Sequence, residues 1–418
     1  MRTRCTVRGV QCIVHRTLAL FAASALLAAG VLQAQRTIDW STKPVLLMTM
    51  GQGDEVFEKF GHNAIVVWDD ASGQPVAYNW GMFDFNQPNF LGRFLSGDTK
   101  YWMEARSLER TMRDYEALNR TVTVQQLQLT PAQKTRLVAL LADNATEENK
   151  YYRYDYYRDN CSTRARDAID AVTDGALKRA MRAQPGQGSY RWHTRRLLAY
   201  SAPLYFGSEL VLGVDADNAL TGWEEAFLPQ SLSESIMRID MPAADGLPQR
   251  LLAAPADTLL LAQRGPEPRT ATLRLAIAAL AGILIGVVLL GLTRLGKVPA
   301  AIGVMVWSLL IAGLGLVLLL AWFATQHVFM ANNPSVALVN PVWFVGVAAA
   351  VTMMRNGVPR GLRRALRWLL VVAVTGTAGA VLLGHAGSAL ELAALLLPAH
   401  AAVAYAADRY RNAPRSVS

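Results

Sequence analysis

Cysteine is scarce in this chain, three residues in 418. Cys5 and Cys12 fall in a stretch with the marks of an export signal: Arg2, Arg4, Arg8 and Arg16, an apolar run from Leu18 to Leu32, and the small-residue end Val31-Leu32-Gln33-Ala34. An uncleaved anchor is the alternative, because the run is near the lower limit for a span. With residues 1–34 read as a signal peptide, Cys161 alone remains, and one cysteine excludes a disulfide-stapled scaffold in an oxidising compartment. Histidine is nearly as rare: residues 35–274 hold only His62 and His193. That stock supplies no zinc spacing, no His-Glu-x-x-His and no phosphate-binding Gly-Lys-Ser loop, so neither a metal nor a cofactor is expected.

Lys and Arg are missing where orientation is decided. Apolar runs recur at 275–293, 300–323, 336–354, 368–384 and 389–407, each about the length of a membrane span. The loops 324–335 and 385–388 between them contain no basic residue, whereas Arg294, Lys297, Arg355, Arg360, Arg363, Arg364, Arg367, Arg409, Arg411 and Arg415 crowd the others. By the positive-inside rule the crowded loops and the C-terminus are cytoplasmic and the segment before Leu275 is exported, in agreement with the signal. The formal charge of +9 resides in the signal and these loops. Residues 35–274 carry 27 basic and 30 acidic side chains, which speaks against nucleic acid as a partner.

The sequence thus divides into a signal peptide (1–34), an exported domain (35–265) ending at Arg264-Gly265-Pro266-Glu267-Pro268, and a five-helix transmembrane domain (270–411). Pro44–Met50, Asn63–Trp68 and Val76–Trp80 read as strands, the last two as a hairpin across Asp69-Asp70-Ala71-Ser72-Gly73. Thr130-Pro131 opens a helix to about Asn144, so the exported domain is α+β.

Cys161 stands in Asp159-Asn160-Cys161-Ser162-Thr163, followed by a helical pattern with Ala165, Ala168, Ile169 and Val172 apolar. With Asp159 or Asn160 as N-cap, the thiol lies in the first turn, where the macrodipole and free N–H groups favour thiolate. This predicts a nucleophile rather than an inert core thiol. A thiol nucleophile needs a base. His62, at the lip of the hairpin in Phe60-Gly61-His62-Asn63, ranks first; His193, in the basic, aromatic Tyr190-Arg191-Trp192-His193-Thr194-Arg195, reads as surface or interface.

These residues resemble a known family. Histidine before cysteine, with the cysteine at a helix start after Asn, resembles the circularly permuted papain-like proteins, including the NlpC-related and lecithin retinol acyltransferase groups. More closely the chain resembles the Lnb-type family, whose exported papain-like domain precedes membrane helices. Three blocks carry the likeness: Leu47-Met48-Thr49 with Phe60-Gly61-His62-Asn63-Ala64; Tyr78-Asn79-Trp80-Gly81-Met82-Phe83-Asp84-Phe85 with Pro88-Asn89-Phe90 and Gly97; and Tyr154-Asp155-Tyr156 with Asp159-Asn160-Cys161-Ser162-Thr163. Weaker matches reach Leu212-Gly213, Phe227-Leu228-Pro229 and a loop with His327, Asn332, Asn333, Asn340 and Pro341.

The resemblance implies a bacterial inner-membrane, multi-pass acyltransferase that N-acylates the N-terminal cysteine of lipoproteins through a Cys161 thioester. Membrane phospholipids and lipoproteins would be its substrates, and Cys161 and His62 its catalytic pair. Papain-like sites add a polar group that orients the imidazole. Folding the hairpin about Ser72 sets residues 79–82 opposite 62–65 and makes Asn79 the first candidate, with Asp84 and Asn160 in reserve. Tyr78, Trp80, Phe83 and Phe85 line an acyl groove or, at their alternating spacing, belong to the core. The other reading is a papain-like cysteine hydrolase of wall peptide or lipid ester. Five spans exceed what an anchor needs, and Glu391 in the fifth is functional or interfacial.

Overall fold

Four of the five residues in Leu46–Met50 (β1) are apolar because both faces of this strand are covered. It is flanked by His62–Trp68 (β2) and Val122–Gln126 (β5) in an antiparallel sheet. The sheet extends through Pro75–Met82 (β3), Lys100–Ser107 (β4) and Tyr151–Arg153 (β6) on one side. Asp240–Pro242 (β7) and Pro248–Arg250 (β8) form a separate ribbon, and Asp257–Leu260 (β9) closes the far edge, giving the order β6-β4-β3-β2-β1-β5-β9. The computed structural model describes residues 40–242, 248–252 and 255–412; the expected signal peptide lies outside them.

Leu47, Ile65 and Val67 point to one face, against the helices Pro131–Asn144 and Cys161–Val172. Met48, Met50, Ala64, Val66 and Ala77 point to the other, against the helix Leu108–Ala117. The β2–β3 hairpin closes with Asp69 paired to Gln74 and Gly73 at φ +65°, a four-residue loop. Asn79 therefore stands opposite Ala64 and Tyr78 opposite Ile65, one residue from the expected pairing of 79–82 with 62–65. A one-residue slip exchanges faces, so Asn79 shares a face with Ala64 and, diagonally, with His62.

Five helical segments are long and apolar enough to cross a membrane: Leu275–Leu295, Lys297–Ala324, Pro334–Arg355, Arg360–Leu382 and Ala386–Arg409. The fourth starts at Arg360, eight residues before its apolar run, because hydropathy marks the apolar turns and backbone bonding continues into polar ones. Its Arg363 and Arg367 pair with Asp408 at 3.5 and 2.7 Å. Gly282 and Gly286 let the first segment lie against the backbone of Ala394, Leu395 and Pro398 in the fifth.

The two ends of this helical bundle differ. At one end the basic connections meet: Lys297 Nζ donates to the Arg355 carbonyl at 2.7 Å and Val358 bridges to Arg411. At the other, the loops free of Lys and Arg hold the N-terminal domain. Asn333 Nδ2 donates to Leu210 O at 2.8 Å, Gly213 N to Phe329 O at 2.7 Å, and His385 Nδ1 lies 2.9 Å from Asp217. Glu391, fully buried, accepts from Tyr205 Oη at 3.0 and 3.1 Å and from the Arg274 N–H, so its carboxylate joins the two parts. Phe329 is 2 % exposed in a cluster with Tyr157, Tyr190 and Phe227.

Gly213 lies so close to the Ala331 carbonyl that a Cβ there would overlap it. Gly213→Ala should therefore wedge the loop off the domain at about 1–3 kcal/mol, read as a fall in the melting midpoint of the full chain. An unchanged midpoint would show that the loop is not clamped at this point.

Candidate active site

Three elements converge where β1 ends, β2 begins and β3 ends. The first is the helix Cys161–Val172. Asn160 is its N-cap: Oδ1 accepts from the N–H groups of Ser162 and Thr163 at 2.9 and 3.0 Å, and Nδ2 donates to the carbonyls of Tyr156 and Phe227. Ser162 Oγ ties the same turn to Ala226 O at 2.7 Å. Cys161 is thus the first helical residue on a rigid support, and Asn160, spent on capping, does not serve as the imidazole's partner.

The second element is the start of β2. Asn63 is fully buried, its amide bonded to Thr49 Oγ1 at 2.9 Å, and its main-chain N–H reaches the Cys161 sulfur. Its neighbour His62 is half-buried, with Nε2 3.3 Å from Asn79 Oδ1. Asn79 Nδ2 donates to Ala77 O at 3.1 Å, which assigns its oxygen to the histidine. An amide oxygen only accepts, so Nε2 carries the ring proton and Nδ1 is the basic nitrogen.

The third element is Gly81 at the end of β3. Its φ of +82° is a glycine conformation, and a Cβ there would meet Cys161 Cβ and the Tyr154 ring, each at 3.6 Å. Asp84, the other reserve, is exposed and holds the turn at Asn86 instead.

The structure joins His62 to Asn79 and sets Cys161 against the N–H of the next residue, Asn63; among the described residues no hydrogen bond links the imidazole to the sulfur. By strand parity His62 projects with Ala64 toward the helix Leu108–Ala117, whose Tyr115 stacks on it at 6.4 Å, while the Cys161 helix covers the opposite face. The faces meet at the sheet end, and there Arg120 acts on both groups. This arginine, which the sequence reading passed over, is 5 % exposed. Nε donates to Gly51 O at 2.8 Å, Nη1 to Glu58 at 3.3 Å, and Nη2 is buried with no partner among the described residues. Its guanidinium lies over the Tyr115 ring at 4.9 Å.

The electrostatics correct one expectation. The first-turn position predicts a thiolate, yet burial pushes the Cys161 thiol up; the N–H groups of Asn63, Ser162 and Cys161 and the charge of Arg120 offset only part of this. His62 is moved the other way. Desolvation, reinforced by Arg120 and opposed by the Asn79 hydrogen bond, lowers it to about 3. At neutral pH the resting site therefore holds a neutral thiol and a neutral base rather than an ion pair. Because the folded imidazole binds its proton less tightly than the unfolded one, its stabilising effect is complete above about pH 6.5 and is lost as pH falls toward 3.

His193 is also relocated. It is 1 % exposed, with Nε2 2.7 Å from Glu225 and Nδ1 accepting from Arg196 at 3.1 Å. Its basic neighbours turn inward too, Arg191 to Asp217 and Arg195 to Glu209, so of the two expectations, surface or interface, the stretch is not surface but a buried ionic layer that reaches Gly387 of the fifth helix. In the membrane-side loop, Asn333 and Asn340 cap short turns, and His327 Nε2 meets Phe94 O at 3.0 Å.

No curated protein and no solved structure matches the chain. The family model for the Lnb N-terminal periplasmic domain matches residues 32–200, a stretch that contains β1 to β6, His62, Asn79 and Cys161. The chain thus carries a stretch similar to the Lnb N-terminal periplasmic domain, followed by five helices long and apolar enough to cross a membrane.

Proposed function

We propose that this protein is a membrane-bound thiol acyltransferase, that Cys161 carries the acyl group as a thioester, and that the acceptor is the free α-amine of a lipoprotein's lipidated N-terminal cysteine. The observation that carries the reading is the neutral His62, its Nε2 proton held by Asn79 and its Nδ1 left basic, at the sheet end where the Cys161 helix begins. Histidine on a strand start, cysteine at a helix start and an antiparallel sheet between them support a permuted papain-like fold. The basic end of the helical bundle supports a cytoplasmic C-terminus and an inner-membrane location.

Because the thiol is held protonated, it loses its proton as it attacks. Sγ bonds to the ester carbonyl carbon of a phospholipid and its proton passes to His62 Nδ1. The tetrahedral oxyanion is met by the N–H groups of Asn63 and the first turn, with the Arg120 charge nearby. The carbonyl re-forms, the C–O bond breaks, and the lysolipid alkoxide takes the proton from His62. In the second half the neutral amine attacks the thioester, His62 accepts the amine proton, the C–S bond breaks and the proton returns to sulfur. A half-buried imidazole held by Asn79, with Nδ1 free and unprotonated when a nucleophile arrives, can serve both halves.

Incubation of the full chain in nanodiscs with a phospholipid and a diacylated lipopeptide should add one acyl chain to the peptide amine. Release of free fatty acid with no acylated peptide would replace this reading with a hydrolase. The pH profile gives a second expected result. With His62 at about 3, the acylation rate should show no imidazole step between pH 5 and 8; alkylation of Cys161 should rise with pH to a midpoint above that of an ordinary thiol. A midpoint near 6.5 in either profile would contradict the assigned charge states.

A further inference from the structure

An aromatic strip on the surface of the N-terminal domain has no role in the chemistry described above. Tyr78 and Trp80 pack into the core, but Phe85 is 64 % exposed, and the helix Phe90–Ser96 turns Leu91, Phe94 and Leu95 outward at 67, 46 and 60 %. The rings are in series: Phe94 to Phe90 at 6.1 Å, Phe90 to Phe85 at 5.2 Å, Phe85 to Phe83 at 5.0 Å. Phe83 then meets Tyr101 at 5.0 Å and Tyr101 meets Tyr154 at 4.4 Å, the ring that shares the space over Gly81 with Cys161. One stacked and four edge-to-face contacts account for the mutual order of these rings but leave Phe85 and Phe94 exposed at the outer end. A contiguous exposed apolar patch on an exported domain marks an interaction site.

The location of the patch identifies its occupant. The second apolar span ends at Ala324. Two residues later Gln326 N donates to Ser96 O at 2.8 Å, and His327 Nε2 lies 3.0 Å from Phe94 O, so the helix Phe90–Ser96 is fastened to the chain as it leaves the bilayer. Gly97, at φ +75° and 3.1 Å from Gln326 C for any added Cβ, permits that approach. A short helix fixed at that level, with two leucines and a phenylalanine outward, is placed to meet a membrane surface.

We propose that this strip inserts into the periplasm-facing leaflet and receives a phospholipid acyl chain, which the ring series leads toward Cys161. The leaflet contact stands on the geometry alone; the delivery of the chain rests on the acyl-transfer reading. Two measurements on the full chain in phosphatidylethanolamine-phosphatidylglycerol nanodiscs test it. With p-benzoylphenylalanine in place of Leu91, irradiation should join the protein to phospholipid acyl chains at least tenfold more than the same group in place of Asp70, at the exposed hairpin tip. The double substitution Phe85→Ser and Leu91→Ser should lower about tenfold the ratio of Cys161 acylation by bilayer phospholipid to acylation by a water-soluble short-chain ester. Equal cross-linking at the two positions would overturn the leaflet contact, and an unchanged ratio would overturn the route. If wild type accepts acyl groups from neither donor, the acyl-transfer reading fails and the route with it, while the cross-linking still judges the leaflet contact.

Discussion

Replacing Cys161 by alanine is expected to lower acyl transfer by three orders of magnitude or more, with about 1 kcal/mol or less lost in stability. The size follows from removing the only atom to which the acyl group bonds; what survives is binding and oxyanion stabilisation acting on uncatalysed aminolysis. The small structural cost follows from the site: the side chain is 8 % exposed, but Asn160 and Ser162 make the bonds that hold the turn. His62→Ala should cost nearly as much, and the double variant no more than either single one, because in the proposed mechanism thiol and base act as one unit. Asn79→Ala should cost about ten- to a hundredfold and should let the imidazole choose either tautomer. Rates measured with phospholipid and lipopeptide check all four variants. A double variant slower by the product of the single effects would show that His62 acts independently of Cys161.

Arg120→Met is the second large effect, and it has two readouts. Removing the guanidinium leaves Glu58, 9 % exposed, as a buried carboxylate without its cation, a loss of about 3–5 kcal/mol. It also removes the charge that lowers both His62 and Cys161, so the imidazole should rise toward its ordinary value while the thiol rises further. The acylation rate should fall, and an acid limb should enter the pH profile from below. Adding Glu58→Gln removes the stranded charge and should recover most of the melting midpoint without recovering the rate. Recovery of both would reduce Arg120 to a structural role.

The sequence shows these features unevenly, for physical reasons. The Cys161 helix start is legible because an N-cap and an apolar period are local, and Asn160 and Ala165 to Val172 state both. The hairpin is legible for the same reason, but its register depends on one residue of loop length, and Asp69 to Gln74 hold one arrangement among several that the composition allows. The thiol's charge state is not legible in the sequence because the helix dipole is a property of one turn, whereas desolvation depends on the packing of Gly81 and the Tyr154 ring around Cys161. Arg120 is invisible in sequence: it meets Glu58 across 62 positions, and nothing near it departs from an ordinary turn into a strand. Phe329 is hidden in the same way, a loop residue between membrane spans that joins Tyr157, Tyr190 and Phe227 in the core of the N-terminal domain. His193 shows the opposite error, since a basic stretch reads as solvated until Glu209, Glu225 and Asp217 are found facing it.

The central claim is the thioester, and intact-mass analysis tests it most directly. Full-length protein in nanodiscs, given phospholipid and no acceptor, should gain the mass of one acyl chain on the peptide that contains Cys161, removable by neutral hydroxylamine and absent from Cys161→Ala. Acylated lipopeptide formed without any such adduct, or formed equally well by Cys161→Ala, would contradict it.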